Sequence, residues 1–189
     1  MATMLAEMRD EWSRIHDRDC PLVLEDRHQP LDATTIAPLL ARAPFTQRAE
    51  GSLTSIAEQL TALPASLVAD VVTLARRFAG LMNVDDVRIR IEGITGNACT
   101  KMHADYADVR LITTYAGPGT DYMASDDACC PKRVPQGWIG LFKGKTYGYG
   151  HPPCLHRSPA VAETGERRLV LVIDTPSRPI DISSYGNAI

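Results

Sequence analysis

The 189-residue chain contains no Cys-x-x-Cys pair, no apolar run long enough to cross a bilayer and no concentration of positive charge. Each absence removes a class of function. Twenty Lys and Arg stand against 23 Asp and Glu, for a net charge of −3, so no basic stripe follows a phosphate backbone and nucleic acid is not an expected partner. The longest apolar stretches, Leu67 to Leu74 broken by Asp70 and Leu169 to Ile173, fall far short of the ~20 residues that span a membrane. Residues 1–11 are acidic where a secretory leader is basic, and they carry no long apolar segment, which predicts a cytoplasmic protein. The five cysteines, Cys20, Cys99, Cys129, Cys130 and Cys154, form an odd set in a chain large enough to need no covalent staples. They read as reduced thiols, without the paired spacing of a structural zinc site. Internal repeats and low-complexity segments are also missing.

What is present describes a folded domain. With 44% hydrophobic and 23% charged residues, the chain buries a core, and its length suits one domain with an elaborated end. Residues 1–83 read as a helical region packed on a β core that occupies residues 84–189 together with a C-terminal tail. Met4, Leu5, Met8, Trp12 and Ile15 fall on one helical stripe. A break at Asp19-Cys20-Pro21 precedes a short run, Leu22-Val23-Leu24, with strand character, and turn-prone residues 27–30 follow before helices resume. A helix over 53–62 starts from Gly51-Ser52 or from the capping-box pattern Ser55-x-x-Glu58. Pro64 opens another, with Leu67, Val71, Leu74 and Phe78 on one face and Gly80 just past its end.

From residue 86 the period changes to two. Val87, Ile89 and Ile91 alternate with Arg88, Arg90 and Glu92, the pattern of a half-buried strand. Residues 109–115, 138–142 and 168–173 are further strands, separated by Gly117-Pro-Gly-Thr120 and His151-Pro-Pro153. Helices followed by strands predict an α+β fold in which helices buttress an antiparallel sandwich or barrel.

The chemistry concentrates at His103-x-Asp105, directly before a strand. Residues two apart on an extended segment point the same way, so an imidazole and a carboxylate can occupy neighbouring positions on one metal. His156 is the best distant third ligand, with His151 its rival. Two imidazoles and one carboxylate on one face of an ion leave further positions open, the donor set of non-haem Fe(II) oxygenases. Arg167 and Arg168 open the last long strand, and a guanidinium there suits bidentate capture of a carboxylate. Adjacent strand residues face opposite sides, so one of the two points inward, and Arg167 is favoured.

These motifs occur in a recognisable order: His103-Ala-Asp105, Arg110-Leu-Ile-Thr-Thr-Tyr115, Gly117-Pro-Gly-Thr120, Val134-Pro-Gln-Gly137, Gly140-Leu-Phe142, His156-Arg-Ser-Pro159 and Gly165-Glu-Arg167. Over about 100–170 the chain resembles the Fe(II)- and 2-oxoglutarate-dependent dioxygenases, most of all their prolyl-hydroxylase-like branch. The resemblance implies a double-stranded β-helix (jelly-roll, cupin-like) core and an oxygenase that couples O2 and 2-oxoglutarate to hydroxylation of a small molecule or a peptide side chain. It implies that His103, Asp105 and His156 bind iron, that Arg167, or else Arg168, binds the cosubstrate, and that Tyr115 lines its pocket. Departures are the short gap from Asp105 to Arg110, Pro118 where the branch has glycine, and the doubled arginine.

Over most of its length the chain also resembles an uncharacterised bacterial family catalogued as a domain of unknown function, whose members are often encoded near zinc-homeostasis genes. That likeness implies an alternative: a non-enzymatic zinc protein using His103, Asp105 and His156, with Cys154 or Cys99 completing a closed tetrahedral site. A third reading is a sugar- or small-acid-binding β-sandwich without metal.

Weaker signals are read conservatively. Gly144-Lys145-Thr146 lacks the upstream glycine spacing of a phosphate loop, and Lys143 and Lys145 read as surface charges. Tyr147, Tyr149 and His151 read as a glycine-rich turn, and Asp121, Asp126 and Asp127 as a solvated loop. His16 is expected to face solvent and His28 to sit in a turn.

Overall fold

A computed structural model describes residues 10–97, 99–123 and 130–176. It is a mixed α/β structure with two antiparallel sheets. The elements run as a 3-10 helix (Glu11–His16), β1 (Leu22–Glu25), α1 (Ala33–Ala41), β2 (Phe45–Gly51), α2 (Leu53–Gln59), α3 (Ala65–Met82), β3 (Val87–Ile94), β4 (Val109–Ala116), β5 (Asp121–Tyr122), β6 (Lys132–Arg133), β7 (Ile139–Lys143), β8 (His156–Arg157) and β9 (Arg168–Asp174). Six strands form one sheet in the order β1-β7-β4-β9-β3-β2, and three short ones form a second in the order β6-β5-β8.

The large sheet separates two apolar layers. On one face, Leu111 and Tyr115 of β4, Leu169, Leu171 and Ile173 of β9 and Ile89 and Ile91 of β3 pack with Leu67, Val71, Leu74 and Phe78 of α3. These helix positions are spaced three and four apart, so they make one stripe, and each buried Leu or Phe contributes about 1.5–3 kcal/mol. The opposite face carries a smaller cluster, with Ile112, Phe142, Val170 and Val172 packed beside Val134 and Cys154. The charged residues of β3, β4 and β9 share this second face by strand parity.

Several local expectations need adjustment. Residues 1–83 are not only helical: the strand expected at Leu22-Val23-Leu24 is β1, paired with β7, and a further, unexpected strand, β2, pairs with β3. Strand β2 has a single buried residue, Ala49, because it lies at the sheet's edge. α2 starts from Ser52, whose Oγ accepts from the Ser55 amide. α3 continues through Gly80 and ends at Asn83, which takes the left-handed conformation at φ 52°. Trp12 and Ile15 are fully buried, whereas Met4, Leu5 and Met8 lie outside the described residues, as do Asp126, Asp127 and the tail from residue 177.

Two polar predictions are also corrected. Lys143 is buried, its ammonium donating to the Asp17 carbonyl at 2.7 Å. Asp121 is buried within β5 and accepts from Arg133 at 2.7 Å and Arg157 at 3.2 Å. His16 is exposed, as expected, and its ring contacts the Tyr147 hydroxyl and the Leu81 carbonyl. No helix among the described residues is long and apolar enough to cross a membrane.

Candidate metal centre

His103 and His156, 53 positions apart in the chain, are joined by an antiparallel bridge that extends the small sheet. Each backbone amide donates to the other residue's carbonyl, at 3.0 and 2.9 Å. This pair of bonds fixes the two imidazoles side by side, with ring centroids 4.9 Å apart. The Phe142 ring packs on His156 at 4.8 Å, and the Ser158 amide donates to the Cys99 carbonyl, holding the next residues of the same segment.

His103, Asp105 and His156 each present a donor atom, all within 4.8 Å of one another. His103 Nδ1 contacts the Lys101 carbonyl at 2.9 Å, and His156 Nδ1 contacts the Cys154 carbonyl at 3.2 Å. A carbonyl only accepts, so these contacts put the proton on Nδ1 and leave the Nε2 lone pairs facing Asp105. Asp105 Oδ1 is 2.7 Å from Arg110 Nη1, which leaves Oδ2 toward His156 Nε2 at 3.0 Å. That Oδ2 is buried and has no hydrogen-bond partner.

An orphaned buried carboxylate oxygen facing two imidazole lone pairs fits a metal site. Ligands at ~2.1 Å on one ion lie ~3 Å from each other when adjacent, close to the Asp105–His156 separation. Burial opposes ionisation of Asp105, but the polar surroundings outweigh it, with the Arg110 guanidinium as their permanent charge, and hold its pKa down at about 2. The carboxylate is therefore ready to bind a cation at any physiological pH. Arg110 is itself held by Asp174 through Nε at 2.7 Å and Nη2 at 2.8 Å, so it sets the rotamer of Asp105 from a fixed base.

The triad opens onto a cavity of about 310 Å³, which Arg168, Ser158, Ile112 and Val170 also line. This is at the small end of the ~300–1,000 Å³ range for ligand pockets. Arg168, not Arg167, points in. Its Nε donates to the Pro118 carbonyl at 2.7 Å and its Nη1 to Ser158 Oγ at 2.9 Å, and no carboxylate among the described residues forms an ion pair with it. Burial, together with Arg133, lowers its pKa to about 10 against the pull of Asp121 and Glu92, so at neutral pH it stays a buried cation with spare donor capacity. The turn that supplies Pro118 needs its glycines. Gly117 has φ +81° and its Cβ position would overlap the Arg167 carbonyl, while a side chain at Gly119 would strike the Val134 carbonyl.

Strand parity places two of the expected site residues away from the cavity. Arg167 faces the helical side and donates to the carbonyls of Leu40 and Ala41 at 2.7 and 3.3 Å, at the C-terminal end of α1. Tyr115 is fully buried on that same side, donating to Asp70 Oδ2 of α3 at 2.6 Å, and so lies across the sheet from the cavity. His151 sits beside Lys143 and Tyr147, outside the triad. Neither Cys99 nor Cys154 joins the cluster of donor atoms; Cys99 lines the cavity, and burial pushes the Cys154 thiol up to about 12, which suppresses the thiolate that a metal requires.

The sequence reading left Arg110, Arg90 and Glu92 without a role at the site, although all three line the cavity. The available signal was the arginine inside the otherwise uncharged strand β4, a position that needs a buried counter-charge.

The sequence profile of a family described as "Protein of unknown function (DUF1826)" matches residues 12–174. The chain belongs to this family. No curated protein matches it. Among solved structures, the dioxygenase for auxin oxidation from Arabidopsis thaliana, in complex with 2-oxoglutarate, is similar with a TM-score of 0.53 at 10% identity, over 89% of this chain and 87% of that one. The dioxygenase for auxin oxidation from rice is similar with a TM-score of 0.56 at 11% identity, over 89% and 78%. A prolyl-4-hydroxylase from Pseudomonas putida is similar with a TM-score of 0.50 at 12% identity, over 89% and 98%. At these identities the likeness concerns the fold, and the antiparallel sheets of this DUF1826 member are consistent with the jelly-roll of those oxygenases.

Proposed function

We propose that this DUF1826 protein is a non-haem Fe(II)- and 2-oxoglutarate-dependent oxygenase that hydroxylates a small molecule or a peptide side chain, built on a double-stranded β-helix. The observation that carries this reading is the convergence of His103, Asp105 and His156 around the unpaired Asp105 Oδ2, in a cavity that also holds the buried guanidinium of Arg168. The similarity to oxygenase structures supports it. When bound, Fe(II), 2-oxoglutarate and O2 supply the oxidation of a C–H bond coupled to decarboxylation of the cosubstrate.

The chain's own residues account for binding and orientation. The backbone carbonyls of Lys101 and Cys154 set both imidazole tautomers. Arg110 occupies Asp105 Oδ1 and so presents Oδ2 as a single donor. One carboxylate and two neutral imidazoles leave an Fe(II) site with net positive charge, which suits an anionic chelator. Arg168 takes the cosubstrate's distal carboxylate, its Nε and Nη1 anchored by Pro118 and Ser158. Ile112, Val170 and Val172 give the cavity an apolar floor that excludes water from the reacting centre. We read the enzyme as cytoplasmic, a view supported by the free thiols of Cys20, Cys99, Cys130 and Cys154.

Anaerobic addition of Fe(II) and 2-oxoglutarate to the purified protein is the test. The expected result is a weak visible charge-transfer band that is lost in Asp105→Ala. Retention of zinc through chelation, with no such band, would instead favour a zinc-binding protein using the same three residues.

A further inference from the structure

We infer that a second cleft, next to the metal-ligand triad, binds an anionic group of the substrate, a carboxylate or a phosphate, between Arg90 of β3 and Arg48 of β2. The inference deepens the oxygenase reading and rests on it for the location of the chemistry. The cleft measures about 360 Å³ and is lined by Arg48, Arg88, Arg90 and Arg110 against Glu50 and Asp174, a net charge of +2 on these six. It adjoins the triad's cavity, and Arg90 and Arg110 line both. A molecule held by Arg90 would therefore lie next to the cavity that His103, Asp105 and His156 line.

The charges in this cleft are unequally satisfied. Arg110 and Asp174 neutralise each other through two hydrogen bonds, and Arg88 Nε donates to the Thr175 carbonyl at 3.2 Å. Arg48 and Arg90 differ. They are direct partners in the antiparallel register of β2 and β3, a placement of like charges that costs stability in a bare sheet. Arg90 Nε is buried and has no hydrogen bond, although it forms an ion pair with Glu92 Oε2 at 3.4 Å. A planar fork with a buried N–H that lacks a hydrogen bond, cross-strand from a second arginine that lines the same cleft, fits a bidentate oxyanion. Bound there, the oxyanion would supply the missing acceptor and relieve the repulsion between the two arginines.

The Nε–H resonances of Arg48 and Arg90 in the 15N-labelled full-length protein give the test, each assigned by its loss in Arg48→Gln or Arg90→Gln. Probes are phenylacetate, phenyl phosphate and the neutral phenylacetamide, titrated with saturating 2-oxoglutarate and Zn(II), which serves as a diamagnetic ion. The expected result is a saturable shift of the Arg90 signal with at least one anion and none with the amide, whose choice of anion identifies carboxylate or phosphate. Arg90→Gln should weaken that binding by about 10-fold, and Arg48→Gln, at an exposed position, should weaken it by a smaller factor. Equal shifts with the amide, loss of the response when 2-oxoglutarate is added, or unchanged affinity in both variants would overturn the inference. A persistent anion response in a protein that lacks the Fe(II)–2-oxoglutarate band would remove the oxygenase reading and leave the anion cleft standing. The reverse result would remove only the cleft.

Discussion

Asp105 Oδ2 and His156 Nε2 face each other at 3.0 Å with no hydrogen bond satisfying the buried oxygen. In a metal-free core such an atom costs about 1–3 kcal/mol, and a shared cation removes that cost. Folding has thus left one acceptor unpaired at the point where two imidazole lone pairs meet.

Removing a ligand should separate metal binding from folding. Asp105→Ala and His156→Ala are expected to lower Fe(II) retention after gel filtration by at least about 100-fold, and succinate formation should fall to background. Metal analysis and a coupled succinate assay are the measurements, and undiminished turnover in either variant would exclude this site.

The two adjacent arginines should behave as different kinds of residue. Arg168→Gln removes a buried charge-assisted donor and is expected to raise the KM for 2-oxoglutarate by about 10- to 100-fold, with partial rescue by Arg168→Lys. Arg167→Gln removes a contact to the end of α1 and should leave that KM within about twofold, with any loss seen in thermal stability.

Tyr115→Phe tests which face of β4 this side chain serves. It deletes the bond to Asp70, which also pairs with Arg27 at 2.7 Å. The variant should lose about 1 kcal/mol in urea unfolding with cosubstrate binding unchanged. A raised KM for 2-oxoglutarate at unaltered stability would contradict the structure.

Cys154 should report on burial through pH. Its thiol keeps its proton to about pH 12 in the folded chain, while an unfolded cysteine ionises near ~8.5. Between those values the unfolded state binds fewer protons, so this residue's contribution to stability, complete below ~8.5, is lost as the pH rises, at no more than about 1.4 kcal/mol per pH unit. Iodoacetamide at pH 8 should label the exposed Cys99 and Cys130 and spare Cys154 until the protein unfolds, as read by peptide mass spectrometry. Cys154→Ala should flatten the alkaline decline.

Much of this molecule was legible before folding. The alternation of Val87, Ile89 and Ile91 marked β3, the spacing of Leu67, Val71, Leu74 and Phe78 marked α3, and the order from His103 to His156 pointed to one metal site, because periodicity and donor chemistry are local properties of a chain. Tertiary pairing decided the rest. Strand β2 carries only one buried side chain, so its segment has no periodic apolar signal and becomes a strand only through its bonds to β3. β4 and β9 are buried on both faces, which erases the period of two, so the inward choice of Arg168 over Arg167 and the outward turn of Tyr115 depend on register with neighbouring strands. The same register turns the polar side of β3, which alone would read as a solvated face, into the wall of an arginine cleft. A charged side chain carries no record of whether water or a second sheet will cover it; that is settled by which strands close over it.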